Sequence, residues 1–483
     1  MKNSFYQYLI LLLACPVELQ AQQPYIFSND PFSGISAVGI SPTQPFLNPN
    51  YWDVHLFSED IFLQNRYAYV SKSSIFSLLA GKVESADIGN NITGENTAGI
   101  FDYFNHQRTG YHFSSELMGP STAIRFSIGE SEKEFLVGVF SKLRTQSQII
   151  ETDNYLQFTN QELDEPALYD LAEFEFDFVN WTELGLNLAT EILPFSDYHW
   201  TLGVNLKYLM GNDAVYVQNK DHALMRREFV INPNDSMLLD KNLFVSNFDV
   251  EVAYATGFDF ENNQYRYKSN GSGFGLDAGI AFVNYGGIED GYDFKAAFNI
   301  LDVGYIKFNG FVHRFIGENL QYTNNPVFDE TEFQDAEQYA QLISNEIYGN
   351  PNQSLISNQF KIGLPTSLHF NISKNIAENQ YLSMDLIQRL PLFEHSLRRN
   401  NLLNLSYLYS KHQFAIGGSF SVYDYREIQF GGFLRYGPFV IGSENVLPFL
   451  IPQKRFHAMD FYIGFKIYPY QNRDMERRSR CKC

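Results

Sequence analysis

No apolar run in this chain is long enough to cross a membrane as a helix. The longest, Leu9 to Cys15, has seven residues, where a spanning helix needs about 20. Cysteine is equally scarce: three residues, Cys15, Cys481 and Cys483, exclude a disulfide framework. Basic residues are outnumbered, 35 against 55 acidic ones for a net charge of −20, and a field of that sign repels phosphate backbones, so nucleic acid is not expected as a partner. The ten histidines show no metal-ligand spacing, and neither His-Glu-x-x-His, Gly-x-Ser-x-Gly nor a phosphate loop occurs. No metal, no cofactor and no catalytic residue is therefore assigned, and an enzyme is not expected.

What the chain has in quantity is aromatic side chains, 16% of its 483 residues, with only 19% charged. Disorder is excluded by that balance. From Tyr51 onward the dominant signal is alternation with a period of two, the mark of strands. Trp200, Leu202, Val204, Leu206 and Tyr208 share one face while Thr201, Gly203, Asn205 and Lys207 share the other. The pattern returns at 183–188, 248–254, 274–282, 367–372, 414–422 and 459–468. A soluble sheet with one wet face would alternate in the same way. Two features favour a barrel in lipid: small or ionisable residues fill the second face, and aromatics such as Trp200 and Tyr208, or Phe274 and Phe282, bracket the strands as interfacial girdles do.

The expected fold is thus all-β, a transmembrane antiparallel β-barrel of about 14 strands, within 12 to 16, over residues 51–470. Lys2, the apolar core Leu9–Ala14 and the end Leu19-Gln20-Ala21 have the layout of a cleaved export signal over 1–21, with a lipoprotein box at Cys15 as the rival reading. Residues 22–50, rich in Pro, Ser, Asn and Gly, predict an irregular segment that serves as a plug. Residues 471–483 form a basic tail. Long connections are expected at 151–177, 219–245 and 313–363, the last containing a short helix near 331–348. The acidic residues concentrated in 151–177 and 328–346 lack the spacing of a calcium loop and read as solvated. Gly271-Ser272-Gly273-Phe274-Gly275 opens a strand, so it implies close backbone packing rather than a phosphate site. Ser367 and His369 share a strand face but have no identifiable third group.

Eight side chains are predicted to line the lumen: Glu183, Asn205, Lys207, Glu251, Asp277, Lys295, Arg435 and Lys466. Most are flanked by apolar neighbours that must face lipid, where a midplane Arg or Lys would cost about 2–4 kcal/mol.

Leu47-Asn48-Pro49, the strand end Tyr208 to Gly211, Gly273 to Gly279, Ile300 to Ile306, Gly363-Leu364-Pro365-Thr366 and Tyr436-Gly437-Pro438 with Gly442-Ser443 resemble, in this order, a domain-of-unknown-function family of Bacteroidota outer-membrane β-barrel proteins. That family is distantly like the fatty-acid-transporter type and the PorP/SprF type associated with type IX secretion. The resemblance implies a barrel in the cell outer membrane, with lipid and other envelope proteins as its partners. Three functions remain open: a channel or transporter of unknown substrate, a structural or docking barrel, and a soluble secreted adhesin. A continuous hydrated lumen would favour the first, and a lumen packed with aromatics and the N-terminal segment the second. Counting strands back from the C-terminus places the loop 313–363 on the cell surface and the tail in the periplasm.

Overall fold

The computed structural model describes residues 24–79, 83–85, 99–104, 109–128, 133–152, 167–195, 198–232, 235–259, 262, 264–288, 290–318, 320–323 and 335–469. The export signal, Cys15 and the basic tail lie outside the described residues, as does much of the acidic stretch 151–177.

Seventeen strand segments form one sheet that closes on itself. They are β1 (Trp52–Asn65), β2 (Thr109–Met118), β3 (Ser121–Ile128), β4 (Lys133–Thr152), β5 (Phe174–Phe195), β6 (Tyr198–Asn219), β7 (Phe248–Ala255), β8 (Gly271–Asn284) and β9 (Phe294–Gly317). The rest are β10 (Leu355–Gly363), β11 (Ser367–Ala377), β12 (Gln380–Arg389), β13 (Leu402–Lys411), β14 (Phe414–Tyr423), β15 (Glu427–Tyr436), β16 (Phe439–Ser443) and β17 (Ala458–Ile467). Three pairs, β2/β3, β7/β8 and β10/β11, each make one interrupted stave, because both members pair with the same neighbouring strand. The wall therefore has 14 antiparallel staves, as the alternation predicts. Closure comes from β1 against β17, with Val54 opposite Ile467 and Gln64 opposite Ala458.

Each strand turns its apolar residues outward. Leu206 is 48% exposed and its neighbour Lys207 3%; the same contrast recurs at Leu276 beside Asp277 and at Leu434 beside Arg435. An exposed apolar surface of this extent fits hydrocarbon, not water. Trp200 and Tyr208, both on the outer face, stand about 26 Å apart along their strand at the usual rise per residue.

Connections are short at one end of the barrel and, apart from Asp424–Arg426, long at the other. β5, β6 and β9 run for 22, 22 and 24 residues, about twice the 9–11 that suffice to span a bilayer. They consequently absorb the ends of the expected loops 151–177, 219–245 and 313–363, which begin later or finish earlier than the sequence suggests. At the long-loop end Ala167–Leu171, Ala223–Asn232, Asp235–Val245 and Leu320–Thr323 pair into a small sheet. The helix in 313–363 is α1 (Ala336–Tyr348), starting where Asp335 accepts a hydrogen bond from the Gln338 amide at 2.8 Å and ending at Gly349 with φ +68°, a normal pair of caps. Its buried face is Ala340 and Ser344, and Tyr339 is exposed. Gly273 accounts for the glycine-rich strand opening: a Cβ there would strike the Tyr305 carbonyl.

The lumen holds the N-terminal segment. Every residue from Tyr25 to Asn50 except Ser36 is buried, and the segment includes short helical turns, Tyr25–Ser28, Gly34–Ala37 and Gln44–Leu47, where the sequence suggests irregular chain alone. Ile26, Phe27, Ile35, Val38, Phe46 and Leu47 join one apolar cluster with inward residues of the wall such as Phe140, Tyr292 and Phe433.

Candidate functional site

All eight side chains predicted from the alternation are buried, and the structure divides them into three groups. Four hold the plug. Arg435 Nε donates to Asp30 Oδ2 at 2.6 Å. Lys466 donates to Asp53 Oδ2 at 2.6 Å and to the Phe32 and Ser33 carbonyls at 2.7 and 2.8 Å. Asn205 donates to the Val38 carbonyl at 2.9 Å, and Lys295 to Gln44 Oε1 at 3.2 Å. A second group, Glu183, Lys207 and Asp277, belongs to an ion layer beneath the long-loop end. Glu251 stands apart, bonded to Tyr216 and Lys220.

The ion layer is centred on Asp302, which takes Arg144 Nη1 at 3.0 Å, Lys207 Nζ at 2.6 Å and Arg399 Nη2 at 2.7 Å. Arg144 also reaches Glu183 at 2.8 Å and Glu116 at 3.5 Å. Lys142 joins Glu116 at 2.5 Å, and Lys207 reaches Asp277 at 2.7 Å. Four cations thus balance four carboxylates, as burial demands. Arg399, 7% exposed, has one guanidinium nitrogen, Nη1, without a partner among the described residues.

Asp302, Arg144 and Glu116 were not legible as a set. Asp302 sits where β9 bulges, with φ +56°, so its strand phase is broken. Asp385 and Asp460 could have been found, since Met384 and Leu386 flank one and Met459 and Phe461 the other. Asp385 accepts from Asn29 Nδ2 of the plug at 2.7 Å and from Asn371 at 2.7 Å. His369 bonds Asp385 at 3.0 Å and the Ile40 carbonyl at 3.1 Å, so it also braces the plug. The Ser367 hydroxyl has no partner among the described residues and no bond to His369. Among the described residues no His, Cys, Asp and Glu side chains gather in a group that could hold a metal.

Above the ion layer, at the long-loop end, lies a cavity of about 800 Å³. It is walled by the ends of β1, β2, β4 and β12, the connections after β12 and β14, and His457 before β17. Below it, two cavities of about 30 Å³ each have room for one or two waters apiece. Between vestibule and plug stand the buried side chains of the ion layer.

A closed barrel with outward apolar staves, an internal N-terminal plug and a vestibule at one end defines a plugged barrel of the membrane-embedded class. Residues 49–444 match the model of the family of unknown function DUF5723, and the chain belongs to that family. No curated protein matches it. Among solved structures it is similar to the toluene transporter TbuX of Ralstonia pickettii, with 10% identity, 92% of this chain and 99% of that one covered and a TM-score of 0.38. A FadL homologue of Pseudomonas aeruginosa has 8% identity over 92% and 97% of the two chains at a TM-score of 0.22. The CymD monoaromatic hydrocarbon channel has 9% identity over 92% and 98% at 0.21.

Proposed function

We propose that the protein is a gated barrel of the outer membrane, embedded in its lipid, that accepts a small solute in the long-loop vestibule and releases it inward when the N-terminal plug shifts. It carries no chemistry of its own on this reading. The single observation behind it is the vestibule of about 800 Å³, which falls in the range of roughly 300–1,000 Å³ typical of small-molecule sites. Passage past the two water-sized cavities requires the plug to move. Plug and wall meet through side-chain hydrogen bonds that water can replace, at Arg435, Lys466, Asn205 and Lys295, as well as through apolar contacts.

The test is a lock. Ser36 Oγ and His55 Nδ1 are 2.9 Å apart, so Ser36→Cys with His55→Cys should tether the plug when oxidised. In proteoliposomes, solute flux that stops on oxidation and returns on reduction supports gating. The packed lumen favours a second reading, a permanently closed barrel that docks other envelope proteins; equal absence of flux in both states would select it.

A further inference from the structure

The geometry points to an oxyanion, carboxylate or phosphate on a small organic molecule, as the ligand of the vestibule, which deepens the gated-barrel reading and rests on it. The chain carries −20 overall, yet the vestibule is basic: among the described residues Arg66, Arg389, Arg398 and Arg426 line it against Asp424 and Glu427. Those two carboxylates are engaged by Arg66, at 3.4 and 2.9 Å. Arg389 and Arg426 have no ion-pair partner among the described residues. In a chain with so large an acidic excess, two guanidinium groups left unpaired around a cavity are positioned for charge that comes from outside the protein. A guanidinium fork matches both carboxylate and phosphate.

The basic lining continues inward. Arg398 walls the vestibule and also the small cavity below it, where Arg144 and Arg399 stand with Glu116 as the one acid among the described residues. Arg399 is the second, independent observation: buried to all but 7%, it lines that lower cavity and its Nη1 has no partner among the described residues. An idle donor on a buried charged group is costly, and an incoming oxyanion would satisfy it. The arginines therefore form a descending series, with Arg389 and Arg426 at the mouth, Arg398 between and Arg399 at the bottom. Tyr111 and Tyr425 share the vestibule wall and suit the apolar part of an organic anion.

Binding is measured by isothermal titration of the full chain in detergent with citrate, inorganic phosphate and, as a neutral control, sucrose. Citrate or phosphate should bind, sucrose should not, and the affinity should fall as salt rises. Citrate alone would identify a carboxylate site and phosphate alone a phosphate site. Arg389→Gln with Arg426→Gln removes two charges that the fold does not use, so heat-modifiable gel migration should be unchanged while affinity falls about tenfold, the loss of charge-assisted hydrogen bonds. Binding of neither anion, or binding that the double variant leaves intact, overturns the proposal. Anion binding without flux in the lock experiment would instead remove the gating reading and leave the site standing.

Discussion

Arg435 and Asp30 meet at 2.6 Å inside the barrel although 405 residues separate them, and both are wholly buried. One belongs to the wall and the other to the plug. Ser410 donates a further hydrogen bond to Asp30 at 2.7 Å, and Arg435 donates to the His412 and Lys411 carbonyls at 2.7 and 2.8 Å. A buried pair satisfied in this way adds little net stability compared with apolar side chains. Six buried apolar plug side chains, at roughly 1.5–3 kcal/mol each, give on the order of 10 kcal/mol. Apolar burial therefore holds the plug in, and the ion pairs decide where it sits.

Removing one partner has a different consequence from removing both. Arg435→Met strands the Asp30 charge and should cost about 3–5 kcal/mol, seen as a lower denaturant midpoint and faster proteolysis of the N-terminal segment. Asp30→Asn added to Arg435→Met should recover part of the loss. Recovery stays incomplete because Arg435 also ties down two wall carbonyls. A single variant as stable and as protected as the parent would show that the pair does not set the plug.

At Gly203 the wall lies directly against the plug backbone. A Cβ there would strike the Pro42 carbonyl and lie 2.7 Å from the Thr43 amide, so Gly203→Val should push the plug out of register. Gly418 is the control, since its nearest atom for a Cβ is 3.5 Å away. Planar-bilayer conductance should rise for Gly203→Val and not for Gly418→Ala. Parental conductance in both would place the plug elsewhere.

The wall was readable because each stave repeats one local rule, apolar out and polar in, and that rule survives in any ten residues. Trp200 to Tyr208 shows it without help from the rest of the chain. Three things escaped it. Which strands close the barrel depends on β1 finding β17, a pairing across nearly the whole chain. The plug has no periodicity, and its polar groups are satisfied by distant strands: Asn29 by Asp385, the Phe32 and Ser33 carbonyls by Lys466. The vestibule arginines come from the ends of separate staves and the connections between them, so no spacing in the sequence brings Arg66, Arg398 and Arg426 together.

The inward and outward assignments predict accessibility at neighbouring positions. Leu206 is 48% exposed and Thr201, on the same strand, 1%. The Thr201 hydroxyl has no hydrogen-bond partner among the described residues, so cysteine there removes no bond they make. Spin labels at Leu206→Cys should relax strongly with lipid-dissolved oxygen, while those at Thr201→Cys and Lys207→Cys should not. Equal relaxation at all three positions would mean that the strand faces are misassigned.

Orientation follows from the parity of the staves. α1 lies between β9 and β10 at the long-loop end, whereas the turn at Glu378 and Asn379 joins β11 to β12 at the short-turn end. Tyr339 on α1 and Glu378 in the turn are both exposed, so either can carry a label without disturbing the core. Short turns belong on the periplasmic side of bacterial barrels and long loops outside. In a background with Cys481→Ser and Cys483→Ser, a membrane-impermeant maleimide on intact cells should label Tyr339→Cys. Glu378→Cys should react only after the outer membrane is opened. Labelling of Glu378→Cys on intact cells with Tyr339→Cys protected would invert the barrel, and the arginine-lined vestibule would then open to the periplasm.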